Sequence, residues 1–469
     1  MEQYTLSKTN IKSIPIELID KIDVDYCCKS NNNEILTIYA KKETMEEFKN
    51  KGYHFEKTDI PKIIKNKAID KKLGSYHHQD DLEKFIKNIC STYPKIASYE
   101  IIGITKEKRN LFMTKITTNS DNNKPGFLIV GNIHGDETLG RELGLYLMDY
   151  LCKQYENNNP LIDYLINNTQ IYILPSLNPD GFEREINGYW SPSRRNSNNV
   201  DLNRNFPDHV DPHLNISPED RENEVNAIIN WSAINNIHMS LSIHGGALVV
   251  NYPLDGPISG QYSKSEDDDF FKYISKEYVN NHSNFDSKFT NGITNGAQWY
   301  ALYGGMQDWH YKNRHSFELT LELSDKKFVD ESKLEAYWND NKKSLINSIK
   351  LLHIGLRGYV VDGDNIGQLN IHNTKLNSTK NIELTQSKFF NIPLNPGSYI
   401  LTYKTVTYNI DINYNYNYLV IIENNKIDIT EEQIPGTIKT PQAIPQSIPQ
   451  SIPQPRNKKR KKRKICVIL

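Results

Sequence analysis

The chain has 469 residues, of which 37% are hydrophobic and 24% are charged. A chain of this length and composition is expected to fold into two or three globular domains rather than to stay disordered. The formal net charge of −1 excludes a general attraction to nucleic acid or to acidic membranes, and no nucleic-acid partner is expected.

The N-terminus and the cysteines predict where the protein is located. The opening segment (1–23) has neither an apolar core nor a small-residue cleavage site, so a secretory signal is not expected. No stretch approaches the roughly 20 apolar residues that span a bilayer. The five cysteines are scattered and odd in number, unlike a disulfide framework. We therefore expect an intracellular protein, in the cytoplasm or on the cytoplasmic face of a membrane.

The first 73 residues are predicted to form a separate α+β region. Glu34–Ala40 alternates like a strand, Thr44–Asn50 is helix-prone, and Gly52 is placed to end that helix. A lysine-rich connector, Lys62–Lys72, leads to the next region.

The second region (74–353) alternates apolar, strand-like runs with amphipathic helices. Gly126–Gly131 and Gln170–Leu174 are strand-like, and Leu139–Tyr155 between them has helical periodicity. This rhythm predicts an α/β fold with a mixed, mostly parallel twisted sheet and helices on both faces.

The last two regions have different compositions. Residues 354–425 contain short strand-like segments separated by Asn, Gly and Pro turns, which predicts a small all-β sandwich. Residues 426–469 repeat Ile-Pro-Gln and then carry a basic run at 456–464. A segment of this composition cannot bury a core, so we expect a disordered, extended tether.

Two histidines and a glutamate form a candidate metal site. His134 and Glu137 follow the predicted strand Gly126–Gly131 with H-x-x-E spacing, and His244 ends another apolar run. Ligand sites of open α/β sheets lie at the carboxyl ends of the strands, where these three side chains can converge. Two His and one Glu leave an open position on zinc for water, which is typical of a catalytic site. The H-x-x-E pair alone is a weak signal, because such pairs are usually surface features of helices.

Further motifs make the chain resemble the zinc metallocarboxypeptidases of the carboxypeptidase A type, in particular their N/E regulatory branch. The similarity covers residues 75–425, including a transthyretin-like sandwich after the catalytic domain. The motifs are His134-Gly-Asp-Glu137, Pro175-Ser-Leu-Asn178, Asp201-Leu-Asn203-Arg204, His244-Gly-Gly, Asn251-Tyr-Pro, Gly304-Gly-Met-Gln-Asp308 and Leu321-Glu322-Leu-Ser. The resemblance implies one zinc ion per chain, held by His134, Glu137 and His244, and hydrolysis of the C-terminal peptide bond of peptides or proteins.

The resemblance also implies which residues grip the substrate. Asn203 and Arg204 match the family pair that holds the terminal carboxylate, and a planar guanidinium suits that anion. Arg194 aligns with the arginine that polarises the scissile carbonyl, and the neighbouring Arg195 is the alternative. Tyr300 matches the tyrosine that closes over bound substrate, with Tyr303 as its competitor.

The catalytic base and the specificity residue follow from the same resemblance. Glu322 matches the catalytic glutamate, which takes a proton from water and delivers it to the leaving amine; Glu318 is the alternative. Asp255 falls where the N/E branch has the acid that receives a Lys or Arg side chain, and Gln307 also matches that branch. The resemblance therefore implies a preference for C-terminal Lys or Arg.

Two rival functions are weighed against this interpretation. A cytosolic carboxypeptidase that trims acidic tails would need a basic group where Asp255 stands. A catalytically silent, carboxypeptidase-like binding module would keep the fold for peptide recognition only. The presence of all three ligands, the Asn203–Arg204 pair and Glu322 argues against the silent module.

Both ends of the chain depart from the N/E branch, which is usually secreted. Residues 1–57 loosely resemble the pro-segment that shields the active site of digestive relatives, with the lysine-rich connector as a processing site. Cys466-Val467-Ile468-Leu469 resembles a prenylation box behind the basic run at 456–464, which predicts a lipid-anchored, membrane-attached chain. The alternative is that the basic run is a nuclear signal or a nucleic-acid patch.

Overall fold

The computed structural model describes most of the chain up to Pro435. The described ranges are 2–6, 23–30, 33–40, 42–52, 55–57, 73–118, 124–186, 193–211, 216–361, 367–383, 389–423 and 426–435. The Ile-Pro-Gln repeat, the basic run and Cys466 lie outside these ranges, so the predictions made for them stay predictions.

The N-terminal region forms an antiparallel sheet with one helix. Its strands pair in the order β2-β3-β1-β4, and the helix connects β3 to β4. Gly52 has a φ of +87°, a left-handed conformation that glycine adopts without a steric penalty at the end of a helix. The elements are β1 (Glu2–Leu6), β2 (Asp23–Ser30), β3 (Asn33–Ala40), α1 (Lys42–Asn50) and β4 (Phe55–Lys57). The predicted strand and helix are confirmed, whereas the shielding role stays a prediction.

An eight-stranded mixed sheet is the centre of the fold, as the sequence predicted. Its strands lie in the order β11-β10-β12-β9-β7-β8-β6-β5, and the four central strands from β12 to β8 are mutually parallel. The strands are β5 (Ala97–Ile104), β6 (Asn110–Ile116), β7 (Gly126–Gly131), β8 (Gln170–Leu174), β9 (Ile237–His244), β10 (Ala247–Tyr252), β11 (Ile293–Asn295) and β12 (Phe317–Ser324).

Helices cover both faces of this sheet, because successive side chains of each central strand point to opposite faces. In β7, Phe127 and Ile129 belong to one hydrophobic cluster, while Leu128 and Val130 belong to another on the opposite face. The helices are α2 (Gln79–Thr92), α3 (Leu139–Glu156), α4 (Pro160–Asn168), α5 (Pro179–Ile186), α6 (Asn223–Ile234), α7 (Asp268–Asn281), α8 (Gly296–Trp299), α9 (Met306–Arg314) and α10 (Leu334–Leu351). Among the described residues no helix combines the length and the apolar character needed to cross a membrane.

Two four-stranded sheets follow helix α10 and bear out the prediction of a small β-sandwich. The predicted start of the disordered tail at residue 426 is wrong, because Lys426–Gln433 forms a strand of this sandwich. One sheet has the order β16-β13-β19-β20 and the other β15-β14-β17-β18. The strands are β13 (Gly355–Val360), β14 (Gln368–Asn373), β15 (Ser378–Glu383), β16 (Phe389–Pro393), β17 (Gly397–Tyr403), β18 (Val406–Ile412), β19 (Tyr416–Glu423) and β20 (Lys426–Gln433). The likeness of this sandwich to transthyretin stays a prediction.

Candidate active site

Three predicted metal ligands converge at the carboxyl edge of the central sheet. His134 and Glu137 lie in the turn after β7, and His244 is the last residue of the neighbouring parallel strand β9. Their candidate ligand atoms all lie within 4.8 Å of one another. Glu137 bridges the histidines, with Oε1 2.9 Å from His134 Nδ1 and Oε2 2.8 Å from His244 Nδ1. Two imidazoles and one carboxylate around one point are a donor set that suits zinc.

The protonation states of these side chains also suit a metal. Burial raises the pKa of the Glu137 carboxyl. The combined effect of His134 and His244 beside it is larger, and it holds the pKa well below its usual range. Burial lowers the pKa of His244, although Glu137 partly opposes this effect. At neutral pH the carboxylate is therefore ionised and His244 is neutral, as metal ligation requires.

Asn132 shapes the turn that carries two of the ligands. Its φ of +55° lies in the left-handed region, which Asn tolerates better than most residues. Its side-chain amide donates to the carbonyls of His134 at 2.8 Å, Gly135 at 3.2 Å and Glu137 at 3.3 Å. Sequence reasoning did not select Asn132; the available signal was an Asn directly after a buried strand.

Arg194, and not Arg195, lies among the ligands. The Arg194 guanidinium donates to Glu137 Oε1 at 3.2 Å and to Asp201 Oδ2 at 3.1 Å. Asp201 also lies 3.2 Å from His134 Nε2, so one carboxylate contacts both the arginine and a ligand. Arg195 donates instead to the carbonyl of Asn199. Asp201 begins the motif Asp201-Leu-Asn203-Arg204, but the sequence did not predict its contact with His134.

Glu322 faces the same edge from strand β12. It pairs in register with His244 on the parallel strand β9, and it lines the cavity beside the ligands. The alternative, Glu318, is fully buried, accepts a hydrogen bond from Ser240 at 2.7 Å and contacts the His310 imidazole. Of these two glutamates the structure brings only Glu322 into the cavity.

One cavity of about 530 Å³, including its open mouth, joins these groups to the predicted specificity residue. Its walls carry the three ligands, Arg194 and Glu322, and also Asp255. The other lining residues are Asn203, Gly245, Gly246, Ala247, Asn251, Trp299, Tyr300, Leu302, Thr320 and Lys327.

Asp255 is a buried carboxylate, 3% exposed, that polar neighbours hold in place. Its Oδ1 accepts from Gln307 Nε2 at 3.1 Å, and its backbone N–H donates to Asp308 Oδ2 at 2.9 Å. A Cβ at Gly296 would lie 1.8 Å from Oδ1, so the carboxylate fits only beside glycine. Burial is the main cause that raises the pKa of Asp255, to about 7.

The predicted carboxylate-binding pair is divided between the cavity and its surroundings. Asn203 is buried in the cavity wall, where its Oδ1 accepts the Met306 N–H at 2.9 Å. Arg204 is exposed and donates to the Asn203 carbonyl at 2.8 Å. Arg204 does not line the cavity, but it is close enough for its positive charge to lower the pKa of Asp255.

Tyr300 lines the cavity, whereas Tyr303 does not. Burial raises the pKa of Tyr300 to about 12, so its hydroxyl stays protonated at neutral pH and remains a hydrogen-bond donor. Tyr303 donates its hydroxyl to the carbonyl of Pro257 instead. The structure thus brings the first of the two tyrosines to the site.

Lys327 is a cavity residue that sequence reasoning missed. It lies three residues beyond β12, and its Nζ is 3.2 Å from both Asp136 Oδ2 and Glu137 Oε1. Its side chain is 11% exposed. The available signal was its place in the loop that follows Glu322 at the same edge of the sheet.

Comparisons with known proteins agree with this geometry. The family model described as zinc carboxypeptidase matches residues 82–344, more than half of the chain. Mouse carboxypeptidase M is 41% identical over 305 residues, which cover 61% of this chain and 68% of that protein. The mouse carboxypeptidase N catalytic chain is 34% identical over 393 residues, covering 75% of this chain and 85% of that protein. Human carboxypeptidase D is 36% identical over 75% of this chain, but the match spans only 27% of that longer protein.

Solved structures show the same fold at lower sequence identity. The carboxypeptidase A of Helicoverpa armigera superposes with a TM-score of 0.58 at 17% identity, over 74% of this chain and 96% of that one. Because the family model and the relatives agree with the ligand geometry, the chain belongs to the zinc carboxypeptidase family and is a metallocarboxypeptidase with a zinc cofactor.

Proposed function

We propose that this metallocarboxypeptidase removes single Lys or Arg residues from the C-terminus of peptides. The observation that carries the proposal is the buried carboxylate of Asp255 in the same cavity as the metal ligands. A buried carboxylate favours a cationic side chain because the charge-assisted hydrogen bond forms away from water. Gln307 and Asp308 support the proposal, because their hydrogen bonds fix the carboxylate and its backbone.

The residues in and around the cavity would have different roles in hydrolysis. Asn203 and Arg204 would hold the terminal carboxylate, while Asp255 accepts the basic side chain. Arg194 would stabilise the negative charge that develops on the scissile carbonyl oxygen. Zinc, when bound by His134, Glu137 and His244, supplies a Lewis acid that polarises that carbonyl and lowers the pKa of water.

Glu322 would act first as a base and then as an acid. Its carboxylate takes a proton from the attacking water and returns it to the departing amine. Tyr300 would cover the bound residue and limit the access of bulk water. These roles rest on the placement of the side chains around one cavity, except that of Arg204, which does not line the cavity and is assigned from its place in the motif.

A panel of peptides tests the proposed function. Peptides that differ only in a C-terminal Arg, Lys, Phe or Glu are incubated with the enzyme, with and without a zinc chelator. We expect chelator-sensitive release of Arg and Lys, and the Asp255→Asn variant to lose this preference. Equal release of Phe would contradict the specificity, and no chelator-sensitive release from any peptide would favour a silent binding module.

We also propose that the chain acts inside the cell and attaches to membranes through its C-terminal tail. The support comes from the sequence: a run of Lys and Arg at 456–464 attracts anionic lipids, and Cys466 lies in a prenylation motif if Leu469 ends the chain. Mass spectrometry of the protein from prenylating cells tests this proposal. An unmodified Cys466 followed by an intact Val-Ile-Leu would refute it.

A further inference from the structure

Lys327 places a second cation beside the metal ligands. The Lys327 ammonium and the Arg194 guanidinium each lie 3.2 Å from Glu137 Oε1. The backbone holds the lysine in this place, because the Lys327 carbonyl accepts the N–H of Thr138 at 3.2 Å. The loop after β12 is thus fastened to the loop that carries Glu137.

Two adjacent glycines form part of the cavity wall near Lys327. Gly245 and Gly246 line it, and a Cβ at Gly245 would lie 3.6 Å from Lys327 Cα. Lys327 is therefore the charged side chain that this glycine wall presents to the cavity. Of its carboxylate neighbours, Asp136 is 3% exposed and keeps the ammonium at the wall.

The direction of a bound peptide follows from the proposed function. In that function its C-terminal residue binds beside Asp255 and Asn203, whose side-chain oxygens would lie 3.6 and 3.7 Å from a Cβ at Gly305, and its scissile carbonyl lies at Arg194. The preceding residue must then pass the metal ligands on the way out of the cavity. The glycine wall with Lys327 borders that path, since the lysine contacts Asp136 and Glu137.

We propose that Lys327 is a specificity-determining residue that favours an acidic side chain at the residue before the scissile bond. This inference rests on the proposed function, because that function sets the direction of the peptide. An ammonium on a partly buried wall attracts a carboxylate and repels a second ammonium. The preferred substrates are therefore peptides that end in an acidic residue followed by Lys or Arg.

Binding and turnover of matched peptides test the inference. Three peptides end in Glu-Arg, Ala-Arg or Lys-Arg and are otherwise identical. Their Kd values are measured by calorimetry in the Glu322→Gln background, where cleavage is suppressed, and kcat/KM is measured with Glu322 present. We expect Glu-Arg to bind and react about fivefold better than Ala-Arg, the gain of about 1 kcal/mol that a partly exposed ion pair gives, and Lys-Arg to be worse than Ala-Arg.

The Lys327→Met variant should remove these differences between the three peptides, whereas Lys327→Arg, which keeps the positive charge, should preserve them. Lys326→Met is the matched control, because Lys326 is the exposed neighbour in the same loop and does not line the cavity. Unchanged Glu-Arg to Lys-Arg ratios in Lys327→Met would overturn the inference. So would an equal loss for all three peptides, since that is the signature of a purely structural role. Release of Arg from the Ala-Arg peptide reports on the proposed function separately, because the Ala before its scissile bond has no charge that Lys327 could attract or repel.

Discussion

At Asp255, burial and ionisation oppose each other. The carboxyl needs its charge to pair with a basic side chain, but burial raises its pKa to about 7, with Glu318 and Asp208 adding to the effect. Below that pH the group is protonated and cannot attract the cation. We expect log(kcat/KM) for an Arg-ending peptide to fall about one unit for each pH unit below 7. A Phe-ending peptide provides the control, because its side chain needs no charge on Asp255.

The neighbouring acid gives the same prediction a second test. The pKa of Asp308 is raised by burial and by the charge of Asp255, and the two groups influence each other. In Asp308→Asn the amide oxygen still accepts the Asp255 N–H, but the group can no longer ionise beside Asp255. The pH midpoint for Arg release should therefore move downward. A midpoint that stays in place would show that the two carboxyls do not interact through charge.

Glu322 and Glu318 offer a matched pair of substitutions on one strand. Glu322→Gln removes the proposed base from the cavity wall, so kcat should fall about 10²- to 10⁴-fold while KM changes little. Glu318 lies outside the cavity, and Glu318→Gln disturbs its buried contacts with Ser240 and His310. It should lower the free energy of unfolding by about 1–3 kcal/mol and leave kcat nearly unchanged. The reverse pattern would identify Glu318 as the base.

Among the structural elements, the turn after β7 depends on one asparagine. Asn132→Ala loses three hydrogen bonds to the backbone and places a Cβ residue without a polar side chain at a φ of +55°. We expect a loss of about 2–4 kcal/mol in the free energy of unfolding, since a lost buried hydrogen bond and left-handed strain each cost about 1–2 kcal/mol. Asn132→Gly is the control, because it loses the bonds but not the backbone freedom.

Denaturation with zinc and with chelator measures this effect. If the turn holds His134 and Glu137 in place, both variants should also lose part of the stabilisation that zinc gives. Equal stabilisation by zinc in wild type and in Asn132→Ala would contradict that role.

The same elements show which features of the site can be predicted from the sequence. Parallel strands end at one edge of a sheet, so the apolar runs before His134 and His244 were enough to predict that the ligands meet. The motif alignment favours Arg194 over the adjacent Arg195, but the direction in which each side chain turns depends on the fold. Lys327 was missed because nothing in a lysine within a polar loop indicates which distant carboxylates it will contact.

At the scale of the whole molecule, the sandwich and the central sheet share one hydrophobic cluster. It runs from side chains of β7 and β9 through helix α10 to residues of the sandwich such as Leu356 and Tyr403. Polar contacts cross the same boundary. They include Lys350 Nζ to Asn415 Oδ1 at 3.5 Å and Lys380 Nζ to Asp267 Oδ1 at 2.8 Å.

A continuous core predicts that these two parts unfold together. Calorimetry of the full chain should show one main transition for the central sheet and the sandwich, with equal calorimetric and van't Hoff enthalpies. Tyr273 packs against Tyr414 of the sandwich, with ring centroids 5.6 Å apart. Tyr273→Ala should therefore lower the Tm of that transition without splitting it, because it weakens the contact but leaves the shared cluster intact. Two separate transitions in the unmodified chain would show that the sandwich folds independently, and the zinc site would then keep its stability when the sandwich melts.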